Sequence, residues 1–177
     1  MRWILACALL FGCAGIPTKS ARIAHSCSAL PAQNTGFARA YIELASVKKG
    51  DLPRSLAKLK QEPIQVQQEV TGVLVEHETP VALPWDRCLD AKCEYKLART
   101  LLITAYLPKT TQEPVHLEIM IREGVGEHAS LFTERVDTYN QQPARLDEHG
   151  DRSWLIATPY LLSNDADVQR LIACKQP

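Results

Sequence analysis

This chain writes nearly the same strand twice. "LLITAYL", Leu101 to Leu107, and "LIATPYL", Leu155 to Leu161, align at an offset of 54, matching Leu101, Thr104, Tyr106 and Leu107 with Leu155, Thr158, Tyr160 and Leu161. At an offset of 63, "VLVEHETPVAL", Val73 to Leu83, lies on "VDTYNQQPARL", Val136 to Leu146, with Val, Pro and Leu coinciding. The offsets differ by nine, the length of "WDRCLDAKC", Trp85 to Cys93. The first copy therefore reads as the second plus a loop inserted at its turn. Each copy is a hairpin: strand, Pro-marked bend, polar turn, strand. Such periodicity means one supersecondary unit used twice.

The local pattern agrees with a mostly β, antiparallel domain with minor helix. "VHLEIMIRE" sets Val115, Leu117, Ile119 and Ile121 on one face and His116, Glu118, Met120 and Arg122 on the other, the period-two signature of a half-buried strand. A first strand is expected over Phe37 to Lys48, ended by Gly50. Around 51–61, "DLPRSLAKLKQ" predicts a short helix. Asp51 can cap it, Pro53 is tolerated in its first turn, and Leu52, Leu56 and Leu59 recur at helical spacing. In "PIQVQQEVTGVLVEHETPVAL" the apolar parity changes after Gly72, which suggests a β-bulge there. A last helix is expected near 165–174, where Val168, Leu171 and Ile172 cluster.

The ends bear on where the protein resides. "MRWILACALLFGCAG" places Arg2 before an apolar run from Trp3 to Phe11, the layout of a secretory signal over residues 1–15. "LFGC" resembles the lipobox of bacterial lipoproteins, which implies lipidation at Cys13 and an outer-membrane anchor. Ordinary cleavage near Ala14 or Gly15 stays open. Residues 16–36 read as a polar leader, and 37–177 as one stapled domain of a size that suits a single core.

Either cleavage leaves Cys27, Cys88, Cys93 and Cys174, enough for two disulfides in an exported chain. The favoured pairing is Cys88–Cys93, closing the short loop, and Cys27–Cys174, tying the domain's ends. A zinc site is the rival for Cys88 and Cys93, whose spacing zinc tolerates.

Twenty basic and twenty acidic residues cancel, and no basic stripe points to nucleic acid. Glu76-His77, Glu127-His128, Glu148-His149 and His116-Leu117-Glu118 are the residue types of metal and acid–base chemistry. None has a spacing that sets two ligands on one face, and they read as solvated surface. No G-x-S-x-G elbow and no phosphate-cradling glycine loop occurs, so no catalytic residue and no cofactor are assigned. The stretch around Trp85, Asp86, Arg87, Asp90 and Lys92 could display an aromatic and charges on a rigid loop, the composition of interface hot spots. Alternatively, Trp85 plugs one end of the core.

"NQQPA", Asn140 to Ala144, with "LIATPYL" and "VHLEIMIRE", resembles the β-domain of the bacterial secretins across residues 38 to 162. The resemblance implies a β-scaffold with an envelope address. It does not imply a pore, because the Val-Pro-Gly gate motif is absent. The expected function is that of a non-enzymatic, periplasmic or outer-membrane-anchored protein, with secretion as the alternative. It would bind another envelope protein or itself through β-edges, touching the membrane only through an N-terminal lipid. A metal-dependent enzyme built on the Glu-His clusters, or a small-ligand or lipid carrier, are the alternatives.

Overall fold

A computed structural model describes residues 19–25, 27, 36–67, 70–89, 94–124, 126–148 and 153–175. In chain order the strands are β1 (Lys19–Ala21), β2 (Arg39–Lys48), β3 (Ile64–Val66), β4 (Thr71–Glu76), β5 (Val81–Pro84), β6 (Arg87–Cys88), β7 (Lys96–Leu97), β8 (Arg99–Tyr106), β9 (Val115–Glu123), β10 (Ser130–Thr138), β11 (Ala144–Asp147) and β12 (Ser153–Leu162), followed by helix α1 (Asp165–Lys175). Two four-stranded antiparallel sheets, ordered β10-β9-β8-β5 and β11-β12-β2-β4, face each other. Their inner faces supply one core, including Ile42, Leu44, Leu155 and Leu161 from one sheet and Leu101, Ile103, Leu117 and Ile119 from the other.

The sheets differ in what covers their outer faces. β8 and β9 alternate buried and half-exposed residues, as expected of a sheet with one wet face. β2 and β12 are buried on nearly every residue, because a third layer lies on them. Residues 19–27, β3 and a short 3-10 helix (Leu56–Lys60) bring Ile23, Ala24, Leu59 and Val66 onto Ala45, Val47 and Ile156. α1 brings Val168, Leu171 and Cys174 onto Tyr160 and Leu162. The Asn164 side chain accepts the Asp167 N–H at 3.1 Å and Asp167 accepts the Ser163 N–H at 2.8 Å, and these bonds fix where α1 starts.

The repeat extends to all eight sandwich strands. Offsets of 63 and 54 carry the β5–β8 ladder onto the β11–β12 ladder: Val81↔Ile103 becomes Ala144↔Ala157, and Leu83↔Leu101 becomes Leu146↔Leu155. An offset of 75 carries β2 onto β9, so that Ala40↔Val75 becomes Val115↔Thr138. The ladder joining the copies obeys the same rule, Ala105↔Leu117 becoming Pro159↔Ile42. One sheet is thus carried onto the other with each end kept in place, so the pseudo-twofold axis runs along the strands between the sheets.

The corners before β5 and β11 are also superimposable. Glu78 and Gln141 take positive φ, 57° and 61°. Their N–H groups donate to Ala105 O and Pro159 O at 2.9 and 2.7 Å. The residues before them, His77 and Asn140, each accept a main-chain N–H at 2.9 Å, from Leu107 and Leu161. Pro80 and Pro143 then enter the next strand.

Four expectations are corrected. Residues 19–25 and Cys27 are part of the fold, with Ile23 and Ala24 buried, because their apolar side chains complete the cover of the middle sheet; the domain does not begin at 37. The helix expected over 51–61 is a single 3-10 segment whose N-cap Ser55 makes no side-chain cap bond. Gly72 is not a bulge: β4 pairs with β2 without interruption from Thr71 to Glu76. The parity changes because β3 and β4 belong to different sheets. Gly72 is required for another reason, since a Cβ there would lie 2.2 Å from the Tyr41 ring. Finally, Trp85 is buried in the core and is not displayed on a loop.

Candidate binding surface

β-Sandwich edges expose unpaired main-chain groups, and natural sheets blunt them with charges, proline or brevity. β5 has four residues and ends in Pro84. β11 has four and carries Arg145 and Asp147. β10 carries Glu134, Arg135 and Asp137. β4 has none of these devices: it reads TGVLVE, with its one charge at the end. Beside β4, on the outer face of its sheet, lies an apolar groove of about 410 Å³. Tyr41 and Leu74 form its floor, while Val168, Leu171 and Ile172 of α1 form its wall. Leu74 and Ile172 are 39% and 47% exposed, so the groove is open to an apolar side chain.

Lys175 closes one end of this groove. Its Nζ pairs with Glu43 and stands 4.3 Å from the Tyr160 ring centroid. Burial outweighs the adjoining carboxylate and lowers the Lys175 pKa to about 8. Glu43 is nearly buried and also accepts the Ala24 N–H at 2.6 Å. The Glu43–Lys175 pair therefore holds residues 19–27 and α1 to the sheet between them. The Cys27–Cys174 disulfide joins these two covering segments to each other covalently, the pairing favoured because it ties the two ends.

The opposite end of the sandwich is closed by a buried polar network. Trp85 and Glu148 occupy positions related by the offset of 63, and the Trp85 indole N–H donates to Glu148 Oε1 at 3.0 Å. Glu148 Oε2 accepts from Ser46 Oγ at 2.6 Å. Arg99, whose side chain is fully buried, lies 3.4 Å from Glu148 and 2.6 Å from Glu123. Such a network is costly to break, because removing one partner of a buried ion pair loses about 3–5 kcal/mol. It joins the two copies where they meet.

The sequence-based site residues are dispersed. Asp86 is exposed just before the short β6–β7 ribbon, and Arg87, half-exposed, is that ribbon's first residue; the ribbon occupies the place of the nine-residue insertion. Asp90, Lys92, Cys93, the Cys88 side chain, Cys13 and the signal segment lie outside the described residues. His77 and Glu78 sit at one end of the sandwich and His128 at the other, whereas Glu148 is committed to Trp85, Ser46 and Arg99. His116 pairs with Asp137 at 2.6 Å on the outer surface. Among the described residues, no three His, Cys, Asp or Glu side chains are grouped to hold a metal ion.

Sequence pattern missed the groove because its wall and floor lie far apart in the chain. The available signal was β4 itself, a six-residue strand with neither a charge inside it nor a proline. Comparison of the chain with protein-family models, with curated proteins and with solved structures finds no match.

Proposed function

We propose that this is an exported, non-enzymatic protein of the bacterial envelope that binds an extended segment of another envelope protein. The segment adds as a fifth strand beside β4 and places an apolar side chain in the groove of Leu74, Val168 and Ile172. The observation that carries this reading is the uncharged, unblunted β4 edge running along an apolar groove. Main-chain pairing supplies affinity in such additions, and the pocket supplies selectivity. The signal-like N-terminus supports export and the lipobox-like "LFGC" supports an outer-membrane anchor at Cys13. The motifs similar to the secretin β-domain support service to a secretion or pilus system.

A photo-crosslinking residue placed at position 74 should capture a specific partner in living cells, and one at Leu131 on the charged β10 edge should not. Leu74→Lys, introduced with the crosslinker at Val73, should abolish the capture. Equal capture from both edges, or capture that survives Leu74→Lys, would reject this surface. A homotypic crosslink from position 74 would assign the edge to self-association. The same groove favours one other reading, a carrier of a small apolar ligand. A stoichiometric lipid retained in native mass spectrometry would support that reading over strand addition.

A further inference from the structure

We propose that the outer face of the β10-β9-β8-β5 sheet is a receptor for an extended polypeptide segment of another protein, held as Ala24, His25 and Cys27 are held on the opposite sheet. On that opposite sheet, four hydrogen bonds fix the main chain. Glu43 Oε1 accepts from Ala24 N–H at 2.6 Å, and the Tyr160 hydroxyl donates to His25 O at 2.9 Å. The Gln141 amide accepts from Cys27 N–H at 2.9 Å and donates to Cys27 O at 3.0 Å.

The offsets of 75, 54 and 63 carry Glu43, Tyr160 and Gln141 onto Glu118, Tyr106 and Glu78. Two of the three are identical and the third is isosteric. Thr158 and Thr104 also coincide between them. Packing explains why inner positions repeat an apolar pattern. It does not explain the return of Glu and Tyr at outer positions, where Tyr106 is 38% exposed. Their return is explained if the surface still performs the same work.

The surroundings match as well. Glu43 accepts from Lys175 at Oε2 and from the Ala24 N–H at Oε1, while Glu118 accepts from Arg135 at Oε2, 2.6 Å away. Ala45 and Ile156, which receive Ile23 and Ala24, correspond to the half-buried Met120 and Leu102. A depression of about 410 Å³ at Glu118, Met120, Thr133 and Arg135 lies along this path.

The occupant is therefore an extended peptide with a small apolar pair above Met120 and Leu102. Glu78, unlike Gln141, accepts but cannot donate, so a basic residue suits the position matching Cys27. The segment comes from a different protein, because this chain's own Ile23, Ala24 and Cys27 are packed and hydrogen-bonded on the other sheet and tied to α1 through Cys27–Cys174, and so are those of a second copy. The site is separate from the β4 groove and does not rest on it.

The test uses the disulfide-intact chain and a fluorescent peptide of residues 19–27 carrying Cys27→Lys. Saturable binding by anisotropy is expected. It should weaken at least tenfold in Tyr106→Phe/Glu118→Ala, which removes one donor and one acceptor and so two main-chain hydrogen bonds, and stay unchanged in Leu74→Asp. The double variant should melt close to the wild type, since Tyr106 and the half-buried Glu118 both lie on the outer face of the sheet, outside the core. Absence of saturable binding up to about 1 mM peptide would overturn the proposal. So would binding retained in the double variant, because the peptide would then have displaced the intrinsic segment or bound elsewhere. Loss in Leu74→Asp alone would overturn it in favour of the groove.

Discussion

Replacing Cys27 and Cys174 together with Ser tests how the third layer is held. The bond spans a sequence separation of 147. A loop of that length, opened in the unfolded chain, corresponds to about 5 kcal/mol at 25 °C by chain entropy. Total stability for a domain is about 5–15 kcal/mol, so the variant should fold only marginally. It should nonetheless keep its third layer. Residues 24–27 retain four side-chain-to-main-chain hydrogen bonds, each worth roughly 1 kcal/mol net, and Ile23 and Ala24 remain buried against Ala45 and Ile156. Urea unfolding followed by tryptophan fluorescence should therefore show one transition at a much lower midpoint. The slope should be steeper, because the uncrosslinked unfolded chain exposes more surface. Amide exchange at Ala24 and Cys27 should track global unfolding. A loss below about 2 kcal/mol with an unchanged slope would refute the entropic account. Early exchange confined to residues 19–27 and α1 would show that the disulfide clamps the folded state directly.

Three further outcomes follow from the geometry. His77→Asn should be tolerated within about 0.5 kcal/mol, because Asn140 performs the same service in the second copy; His77→Val should cost about 1 kcal/mol by leaving the Leu107 N–H unpaired, as read from thermal melts. Gly72→Ala should cost about 1–3 kcal/mol by driving a Cβ into the Tyr41 ring, and Tyr41→Ala should relieve much of that clash in a double-mutant cycle. Burial, with Lys175 and Arg22 nearby, lowers the His25 pKa below 6.5. The unfolded chain then binds more protons in acid, so stability should fall as pH drops below about 6.5. His25→Gln should flatten that part of the urea-midpoint profile against pH.

Much of the architecture was legible because β-structure writes itself locally. Alternation over Val115 to Glu123 marked β9, and the match of 101–107 with 155–161 identified the two strands that lie second from an edge in opposite sheets. The nine-residue excess marked the insertion between β5 and β8. The correspondence of β2 with β9 was not visible, because at the offset of 75 the two strands share a single identical residue, Glu43 with Glu118, and otherwise only an apolar inner face. The 51–61 segment shows the opposite error. Its leucines recur at helical spacing, yet they serve to place Leu59 on the middle sheet, and one 3-10 turn is enough for that.

What the amino-acid sequence determined by itself was the strand content, the duplication, the two cysteines at the domain's ends and the position of the last helix. Each depends on near neighbours or on counting. Tertiary structure decided which repeat copy would have its outer face covered. Glu43 and Glu118, or Tyr160 and Tyr106, cannot be told apart by type or local pattern. Only the packing of residues 19–27, β3 and α1 on one sheet buries the first of each pair and leaves the second facing solvent. The open β4 edge and its groove arise from the same asymmetry, because α1 covers β12 and β2 and leaves Leu74 of β4 exposed beside it.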